Sequence, residues 1–324
     1  MGRIVLVTGV SRYLGGRMAA LLAQDPDVAT VIGVDVLAPE PPLPGVEIVR
    51  ADIRNPVIAK VMGEAGVDTV VHMGTISTPR QAGGRATMKE INVIGTMQLL
   101  SACQRTPSVQ SLVIKSTSAV YGSGPKDPAK FVEDMDPRHP PTSGWPKDSV
   151  EVEAYVRGFS RRRPDVSVTT LRLARVLGPQ MSTSMTAYFS MKVVPTALGY
   201  DPRMQFIHED DVLGAIYAAV RRRAHGPVNV AGDGVLLLSQ ALRRAGKPIL
   251  PVLAPLLPSV GRALAPRSLV DFSTEGMRFL QYGRVLDTTA MRETLGFVPA
   301  YTTAEAFGDF LHRDRQGREV ITVG

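Results

Sequence analysis

The most restrictive feature of the sequence is a series of short apolar runs, each followed by a helical pattern. The first run, R-I-V-L-V-T-G at 3–9, is rich in β-branched residues, ends at a glycine and precedes a helical segment. Five further runs without polar alternation follow at 30–35, 46–50, 67–73, 111–116 and 166–173. Such strands are buried on both faces, as in parallel sheets covered by helices. Right-handed crossovers then predict a doubly wound, Rossmann-type α/β fold.

The pattern loosens after residue 175, where proline and methionine become frequent. One later segment, G-P-V-N-V-A at 226–231, again has the character of a strand that returns to the sheet. We therefore predict two interleaved units. The dinucleotide-binding domain consists of 1–175 and 206–234, and a smaller substrate lobe consists of 176–205 and 235–324.

Charge and composition narrow the classes of partner. The net charge of +7 would suit nucleic acid, but the arginine runs at 161–163 and 221–223 fall at the ends of predicted helices. Cations at that position complement the helix dipole, and aromatic residues do not interleave with them. A nucleic-acid surface is therefore disfavoured. The 44% apolar and 21% charged content is typical of a soluble globular protein.

Two apolar segments and one cysteine are given no membrane or redox role. The first eight residues are too short for a signal sequence, so we expect a cytoplasmic protein. The segment 249–266 is interrupted by Pro251, Pro255, Pro258 and Arg262, which prevent a membrane-spanning helix, and short buried helices or a substrate lid are expected there. Cys103 lies in a helical pattern, where a buried packing thiol is expected.

The first loop, T-G-V-S-R-Y-L-G at 8–15, predicts a dinucleotide site. A glycine-rich turn between a strand and a helix presents backbone N–H groups to a pyrophosphate. Asp35 ends the second strand twenty residues after Gly15, where an acid accepts hydrogen bonds from an adenosine ribose. A carboxylate there repels a 2′-phosphate, so NAD is favoured over NADP.

Further motifs follow in order along the chain. They are A-D-I-R-N at 51–55, D-T-V-V-H-M-G at 68–74, I-N-V-I-G-T at 91–96, S-T-S-A-V-Y-G at 116–122, L-R-L-A-R-V-L-G-P at 171–179, F-I-H-E-D-D-V at 206–212 and L-G-F-V-P at 295–299. With the first loop, they resemble the extended short-chain dehydrogenase/reductase family, the NAD-dependent epimerases and dehydratases of nucleotide sugars. The resemblance covers most of the chain.

The resemblance implies a set of cofactor-binding residues and two substrate contacts. The cofactor set is Gly9, Ser11, Arg12, Tyr13, Leu14, Gly15, Asp35, Asp52, Ile53, Met73, Gly74, Thr75, Asn92 and Ser116. Tyr121 and Arg175 are the implied substrate contacts, and no metal site is predicted. Arg12 stands where family members have glycine, so its side chain either narrows the approach to the pyrophosphate or grips a phosphate oxygen. Arg175 stands where they have asparagine and favours an anionic ligand or an ion-pair partner.

The catalytic pattern of the family is altered. Its spacing places Thr117 as the hydroxyl that contacts a substrate oxygen, but the proton-transferring tyrosine and the lysine four residues later are replaced by Trp145 and Ser149. An indole and a serine cannot supply this acid–base chemistry. Lys147 would point away on a helix. Lys115 could reach the pocket, but a strand-end lysine is expected to point to solvent.

Two functional hypotheses therefore remain open. The first is an NAD-binding protein that acts on a nucleotide sugar or another anion with impaired or unusual catalysis. The second is a non-catalytic protein of the same fold that senses the dinucleotide or binds a partner. Family members often pair through two helices, near 86–105 and 147–162 here, so the resemblance suggests a homodimer.

Overall fold

The protein is represented by a computed structural model that describes residues 2–77, 82–264 and 270–322. Its strands are β1 Arg3–Thr8, β2 Val28–Asp35, β3 Val46–Arg50, β4 Thr69–His72, β5 Ser111–Thr117, β6 Ser167–Leu173, β7 Arg175–Leu177, β8 Val194–Ala197, β9 Arg203–Met204, β10 Phe206–His208, β11 Gly226–Val230, β12 Leu236–Leu237 and β13 Ile249–Val252. Its α-helices are α1 Tyr13–Ala23, α2 Val57–Ala65, α3 Arg85–Lys89, α4 Gly95–Arg105, α5 Gly144–Arg162, α6 Ser184–Phe189, α7 Glu209–Arg222, α8 Leu238–Ala245, α9 Leu257–Leu264, α10 Thr274–Tyr282, α11 Thr289–Leu295 and α12 Thr303–Thr322.

Seven parallel strands form the central sheet in the order β11-β6-β5-β4-β1-β2-β3. The strand order reverses beside β1, so the loops after β1 and β4 leave the same edge of the sheet in opposite directions and open a crevice there. The predicted Rossmann-type fold is confirmed. The segment 226–231 supplies β11, the predicted returning strand. The division of the chain into two domains at 175, 205 and 234 stays a prediction.

Side-chain alternation along β1 explains why the sheet is covered on both faces. Val5 and Val7 pack into one hydrophobic cluster with α1 and α7, and Leu6 packs into another with α2, α4 and α5. A third cluster draws its residues from 177 to 311 and is rich in aromatics. Phe189 and Phe307 meet there edge to face, with ring centroids 4.8 Å apart.

Several local expectations can be compared with the structure. The helix predicted near 86–105 is interrupted by a π-helical turn at Glu90–Ile94, and the helix predicted near 147–162 begins earlier, at Gly144. The segment 249–264 forms β13, a short 3₁₀ turn and α9 rather than buried helices alone. Cys103 is fully buried, and burial raises the pKa of its thiol to about 12, as expected for a packing residue. Among the described helices, none has the length and apolarity needed to cross a membrane.

A buried polar network fastens α5 to the sheet. Arg172 of β6 binds Glu153 of α5 through Nη2, with 2.7 Å to Oε2, and donates from Nη1 to the Tyr121 hydroxyl at 2.8 Å. The Tyr121 hydroxyl in turn donates to Asn229 of β11 at 2.9 Å. Ser116 of β5 donates to Glu153 Oε1 at 2.6 Å. One carboxylate and one guanidinium therefore connect α5 with three strands.

We expect Glu153→Gln to destabilise the fold strongly, because it leaves a buried guanidinium without its counter-ion. The two side chains are only 5% and 11% exposed. Breaking such a pair lowers the free energy of unfolding by about 3–5 kcal/mol. Urea denaturation of the variant and the parent protein measures this difference. The matched control is Glu151→Gln on the same helix, whose partner Lys89 is half-exposed. That change should cost about 0–1 kcal/mol, and equal losses in the two variants would contradict the assignment.

Candidate functional site

The crevice is built on two glycines that permit close backbone contact. Gly9 has φ +79°, and a Cβ at this position would lie 2.7 Å from Gly74 Cα in the loop after β4. A Cβ at Gly15 would lie 2.1 Å from the Gly9 carbonyl oxygen. Any side chain at either position would force the two loops or the helix apart. The glycines therefore bring the first turn of α1 and both loops to one place.

A chain of buried hydrogen bonds fixes the loop after β4. The Thr8 hydroxyl accepts from the backbone N–H groups of Met73 at 3.2 Å and Gly74 at 3.3 Å, so its own proton goes to His72 Nδ1, 2.7 Å away. His72 Nε2 then donates to the Thr96 hydroxyl at 3.0 Å. Burial, with a smaller effect of the Lys115 charge, lowers the pKa of His72 to about 4. The histidine is neutral and structural.

The outer cavity lies beside the end of β2. Its lining consists of Thr8, Gly9, Arg12, Val34, Asp35, Val36, Ala51, Asp52, Ile53, Arg54, Gly74, Ile76 and Ile91. Asp35 Oδ2 accepts from Ser11 N at 3.0 Å and from Ser11 Oγ at 2.6 Å, which ties the first loop to β2. Asp52 is paired with Arg54, and this hydrogen bond lowers the pKa of Asp52.

Arg12 fits the first loop without strain. Its backbone has φ −94° and ψ 150°, so position 12 does not require glycine here. Its side chain lines the outer cavity, where burial lowers the pKa of the guanidinium and Asp35 partly opposes that shift. Of the two alternatives raised by the sequence, a cation positioned to bind a phosphate oxygen agrees better with this placement.

Three predicted cofactor residues act differently from the expectation. The Tyr13 side chain leaves the crevice and donates to Glu209 at 2.6 Å, so only its backbone remains at the first turn of α1. Asn92 uses its whole amide on the backbone of Ile76, with bonds of 2.8 and 2.7 Å, and positions the loop. Met73 is buried in the core below that loop. These side chains hold the site in shape and do not line either cavity.

The inner cavity lies on the other side of the loop after β4. Its lining consists of Leu14, Thr75, Ser77, Lys115, Ser116, Thr117, Trp145, Leu173, Ala174, Arg175, Val176, Met181, Thr183 and Ser184. Thr117, Trp145 and Arg175 are therefore brought together as predicted from the sequence. The hydroxyl of Thr117 accepts a hydrogen bond from Ala119 N at 3.1 Å, which leaves its proton available to a ligand.

Trp145 and Ser149 occupy successive turns at the start of α5. The Ser149 hydroxyl donates to the Trp145 carbonyl oxygen at 3.0 Å, and Ser149 does not line the cavity. Lys147 is exposed, as expected from its place on the helix. No tyrosine is among the residues that line the inner cavity. Within the described ranges, the lining of the inner cavity therefore includes an indole, that of Trp145, and no phenol.

Lys115 corrects one expectation from the sequence. It is half-buried and lines the inner cavity, and does not extend into solvent as a strand-end lysine was expected to do. No hydrogen bond or ion pair joins its Nζ to any residue in the described part of the chain. Burial, reinforced by the like charge of Arg12, lowers the pKa of Lys115 to about 8.

Arg175 is the second cation of the inner cavity. Its guanidinium lies 4.7 Å from the centre of the Phe279 ring, and its Nε has no hydrogen-bond partner in the described structure. Burial lowers the pKa of Arg175, and Asp271 partly opposes the shift. A buried N–H without a partner is costly, and an anionic ligand would satisfy it.

Tyr121 is the second correction. Its side chain is buried, stacks on Phe131 with ring centroids 4.9 Å apart, and belongs to the Arg172 network. It does not line the inner cavity, so it stabilises the fold and is not placed to contact a substrate there. Ser116 lines the inner cavity but directs its hydroxyl to Glu153.

Sequence reasoning missed two contributions to the inner cavity. Met181, Thr183 and Ser184 come from a segment without an interpretable motif, and only the tertiary fold brings them there. Lys115 could have been found, because residues two apart on a strand point to the same face and Thr117 was already assigned to the pocket.

Comparisons with known proteins agree with this architecture. A model of the NAD dependent epimerase/dehydratase family matches residues 5–231. An uncharacterized protein of Mycobacterium tuberculosis (strain ATCC 25618 / H37Rv) is 48% identical over 317 residues, or 95% of this chain and 83% of that protein. The dTDP-glucose 4,6-dehydratase of Bacillus anthracis, solved in complex with NAD, has a TM-score of 0.73 at 18% identity, with 98% of each chain covered.

A second solved structure supports the same fold. The UDP-glucose 4-epimerase of Thermotoga maritima, solved with UDP-glucose, has a TM-score of 0.73 at 18% identity, covering 97% of this chain and 99% of that one. Identities this low bear on the fold alone. The family match, by contrast, spans more than half of the sequence, and the chain belongs to the NAD dependent epimerase/dehydratase family.

Proposed function

We propose that this protein binds NAD along the crevice and acts, by an altered catalytic arrangement, on a nucleotide sugar or a related anion in the inner cavity. The observation that carries the proposal is that consecutive residues, Gly74 and Thr75, line the outer and the inner cavity. One extended ligand can therefore pass from Asp35 over the loop after β4 to Thr117.

The residues of the outer cavity fit a dinucleotide. Asp35 Oδ2 already accepts two hydrogen bonds from Ser11, but Oδ1 accepts only one, from Val36 N at 2.8 Å, and keeps acceptor capacity for a ribose hydroxyl. The first turn of α1 contains no acidic residue, and Arg12 adds a positive charge beside it, which favours a pyrophosphate. When bound, NAD supplies two-electron oxidation and reduction. Its reacting end would lie toward Thr117 and Trp145.

Asp35 provides a test of cofactor choice. We expect Asp35→Asn to weaken NAD binding about 10- to 100-fold, because it removes a charged hydrogen-bond acceptor worth about 1.5–3 kcal/mol. Binding of NADP should not weaken, because repulsion of the 2′-phosphate is relieved. Titration calorimetry of both nucleotides measures this, with Glu47→Gln on the exposed face of β3 as the control. Absence of binding of either nucleotide to the parent protein would overturn the proposed function.

The altered catalytic positions support a second candidate. A protein that senses dinucleotide state needs the outer cavity but no proton-transferring group, and Trp145 with Ser149 agrees with that role. The inner cavity favours the first candidate, because a pure sensor has no need of two unpaired cations beside Thr117. Single-turnover reduction of bound NAD by a panel of nucleotide sugars separates the two.

Restoring the family's residues offers a direct test of the altered arrangement. We expect Trp145→Tyr combined with Ser149→Lys to raise the rate of NAD reduction at neutral pH, because the pair supplies a positioned proton acceptor on α5. Single-turnover absorbance of NADH is the measurement. The matched control is Trp145→Phe combined with Ser149→Lys, which lacks only the hydroxyl. Equal rates in the two double variants would show that position 145 is not the acid–base position.

We also propose a homodimer through α4 and α5. Three large side chains on these helices and the preceding π turn are exposed, namely Ile94 at 44%, Met97 at 37% and Tyr155 at 41%. Such a patch on packed neighbouring helices is suited to a second copy of the chain.

A charge at the centre of this patch should separate the subunits. We expect Met97→Glu to convert a dimer into a monomer, because a carboxylate would be buried without a partner at the interface. Light scattering coupled to size-exclusion chromatography gives the mass. Lys60→Glu on the exposed face of α2 serves as the control. A parent protein that is monomeric at micromolar concentration would contradict the proposal.

A further inference from the structure

Lys115 and Thr117 form a pair on one face of β5. Residues two apart on a strand point to the same side of the sheet, and their Cα atoms are about 7 Å apart at a rise of about 3.3 Å per residue. Both side chains line the inner cavity, and Trp145 of α5 lines it as well. A substrate oxygen that contacts the Thr117 hydroxyl would therefore be close to the Lys115 amine.

Among the described residues that line the inner cavity, none is acidic, so none can pair with Lys115. The lining residues include two cations, five hydroxyl side chains other than Thr117 and one indole, but no carboxylate, phenol or imidazole. A buried ammonium without a counter-ion is unfavourable, and such lysines are common at catalytic positions. The charge is therefore not explained by a structural ion pair in the described part of the chain.

We propose that Lys115 is the group that takes a proton from, and returns it to, the substrate hydroxyl in the inner cavity. This assignment rests on the proposed function and replaces an acid on α5 by a base on β5. Thr117 positions the substrate oxygen through its free proton. Trp145 covers the site and excludes water.

The environment of Lys115 suits this task. In the described part of the chain, the charged and titratable groups that face it are Arg12 from the first loop, Arg175 across the cavity and His72 from β4. Two of these are cations and the third is neutral, so none of them stabilises the ammonium. Burial and the Arg12 charge lower the pKa of Lys115 to about 8. About a tenth of the amine is therefore unprotonated at pH 7, far more than for an ordinary lysine, and this form can act as a general base.

The proposed step balances for a secondary alcohol. The O–H bond of the substrate breaks and its proton moves to Lys115 Nζ, which becomes an ammonium. The hydrogen on the carbon that bears this oxygen leaves as hydride, with its electron pair, and NAD⁺ is the oxidant that accepts it. The carbon–oxygen bond becomes a carbonyl. In the reducing direction the ammonium returns the proton to the oxygen.

Trp145 reports on the protonation of Lys115 without any substrate. It is the only tryptophan of the chain and lines the same cavity, so its fluorescence is specific to this site. We expect a fluorescence transition near pH 8 when the parent protein is titrated between about pH 6 and about pH 11, a window that contains both the shifted and the ordinary pKa of a lysine. Lys115→Met should abolish the transition.

The control for this titration is Lys147→Met, which removes an exposed lysine two residues from Trp145 and should leave the transition in place. Lys115→Met removes an unpaired charge, so its thermal stability should not fall and a folded protein is expected. A transition that persists in Lys115→Met, or its absence in the parent protein, would overturn the assignment.

Single-turnover NAD reduction by UDP-glucose and UDP-glucuronic acid tests the catalytic role. The parent rate should rise with pH and level off above about 8, because the unprotonated amine is the reactive form. Lys115→Met should lower the rate about 10²–10⁴-fold and abolish this pH profile. The affinity for NAD should change less than about threefold, since the substitution removes no proposed contact between the protein and the cofactor.

The outcomes distinguish this inference from the proposed function. Failure of the parent protein to bind NAD defeats the proposed function itself. A parent protein that binds NAD but oxidises neither sugar up to about pH 10 is non-catalytic toward this class, and that result rejects the role of Lys115. If Lys115→Met shows the same rate and pH profile as the parent protein, the role of Lys115 is rejected as well, but the proposed binding of NAD is not.

Discussion

The buried pair between Glu153 and Arg172 is the constraint on which the geometry of the inner cavity depends. Two charges removed from water stabilise a fold only when their remaining hydrogen-bonding capacity is filled, and here Ser116, Tyr121 and the Glu133 carbonyl do so. The pair fixes α5 against β5 and β6. Since Trp145 begins α5 and Thr117 ends β5, their separation is set by this contact and not by the loop between them.

The outer cavity depends on a different kind of constraint, the close approach of backbones. Gly9 and Gly15 have no room for a Cβ, and Thr8 holds the loop after β4 through three hydrogen bonds. Neither device uses a charge. The shape of the outer cavity thus depends mainly on the backbone. The character of the inner cavity depends on side chains, which include the two cations Lys115 and Arg175 and no carboxylate among the described residues that line it. A change of substrate specificity could arise in the inner cavity without altering the cofactor-binding loops.

The sequence predicted the parallel sheet well because strands buried on both faces are continuously apolar, which few other structures require. It also placed Asp35 and Thr117 correctly beside the crevice, since both end strands whose carboxyl ends meet at one edge. It could not predict that the side-chain amide of Asn92 would form hydrogen bonds with the backbone of Ile76. Spacing locates a residue near a site, but the direction of its side chain depends on tertiary neighbours far away in the chain.

Tyr121 and Lys115 are two residues whose side-chain directions differ from the expectation, one turned away from the inner cavity and the other turned toward it. The motif placed Tyr121 near the substrate, but Arg172 and Asn229 draw its hydroxyl into the core. General experience placed Lys115 in solvent, but the period of two along β5 directs it to the same side as Thr117. The local rule about the strand was the better guide for Lys115, whereas distant tertiary contacts decide the orientation of Tyr121.

The proposed role of Lys115 would let a fold of this family work with Trp145 and Ser149 at the positions expected for the tyrosine and lysine. The first turn of α5 and the end of β5 face the same cavity, so a proton acceptor can be supplied from either element. A tyrosine on α5 needs a neighbouring cation to lower its pKa, whereas a lysine on β5 needs only burial and the absence of a carboxylate. The second arrangement requires fewer residues. A lysine in this proposed role would be mostly protonated at neutral pH, so activity would rise with pH across the physiological range.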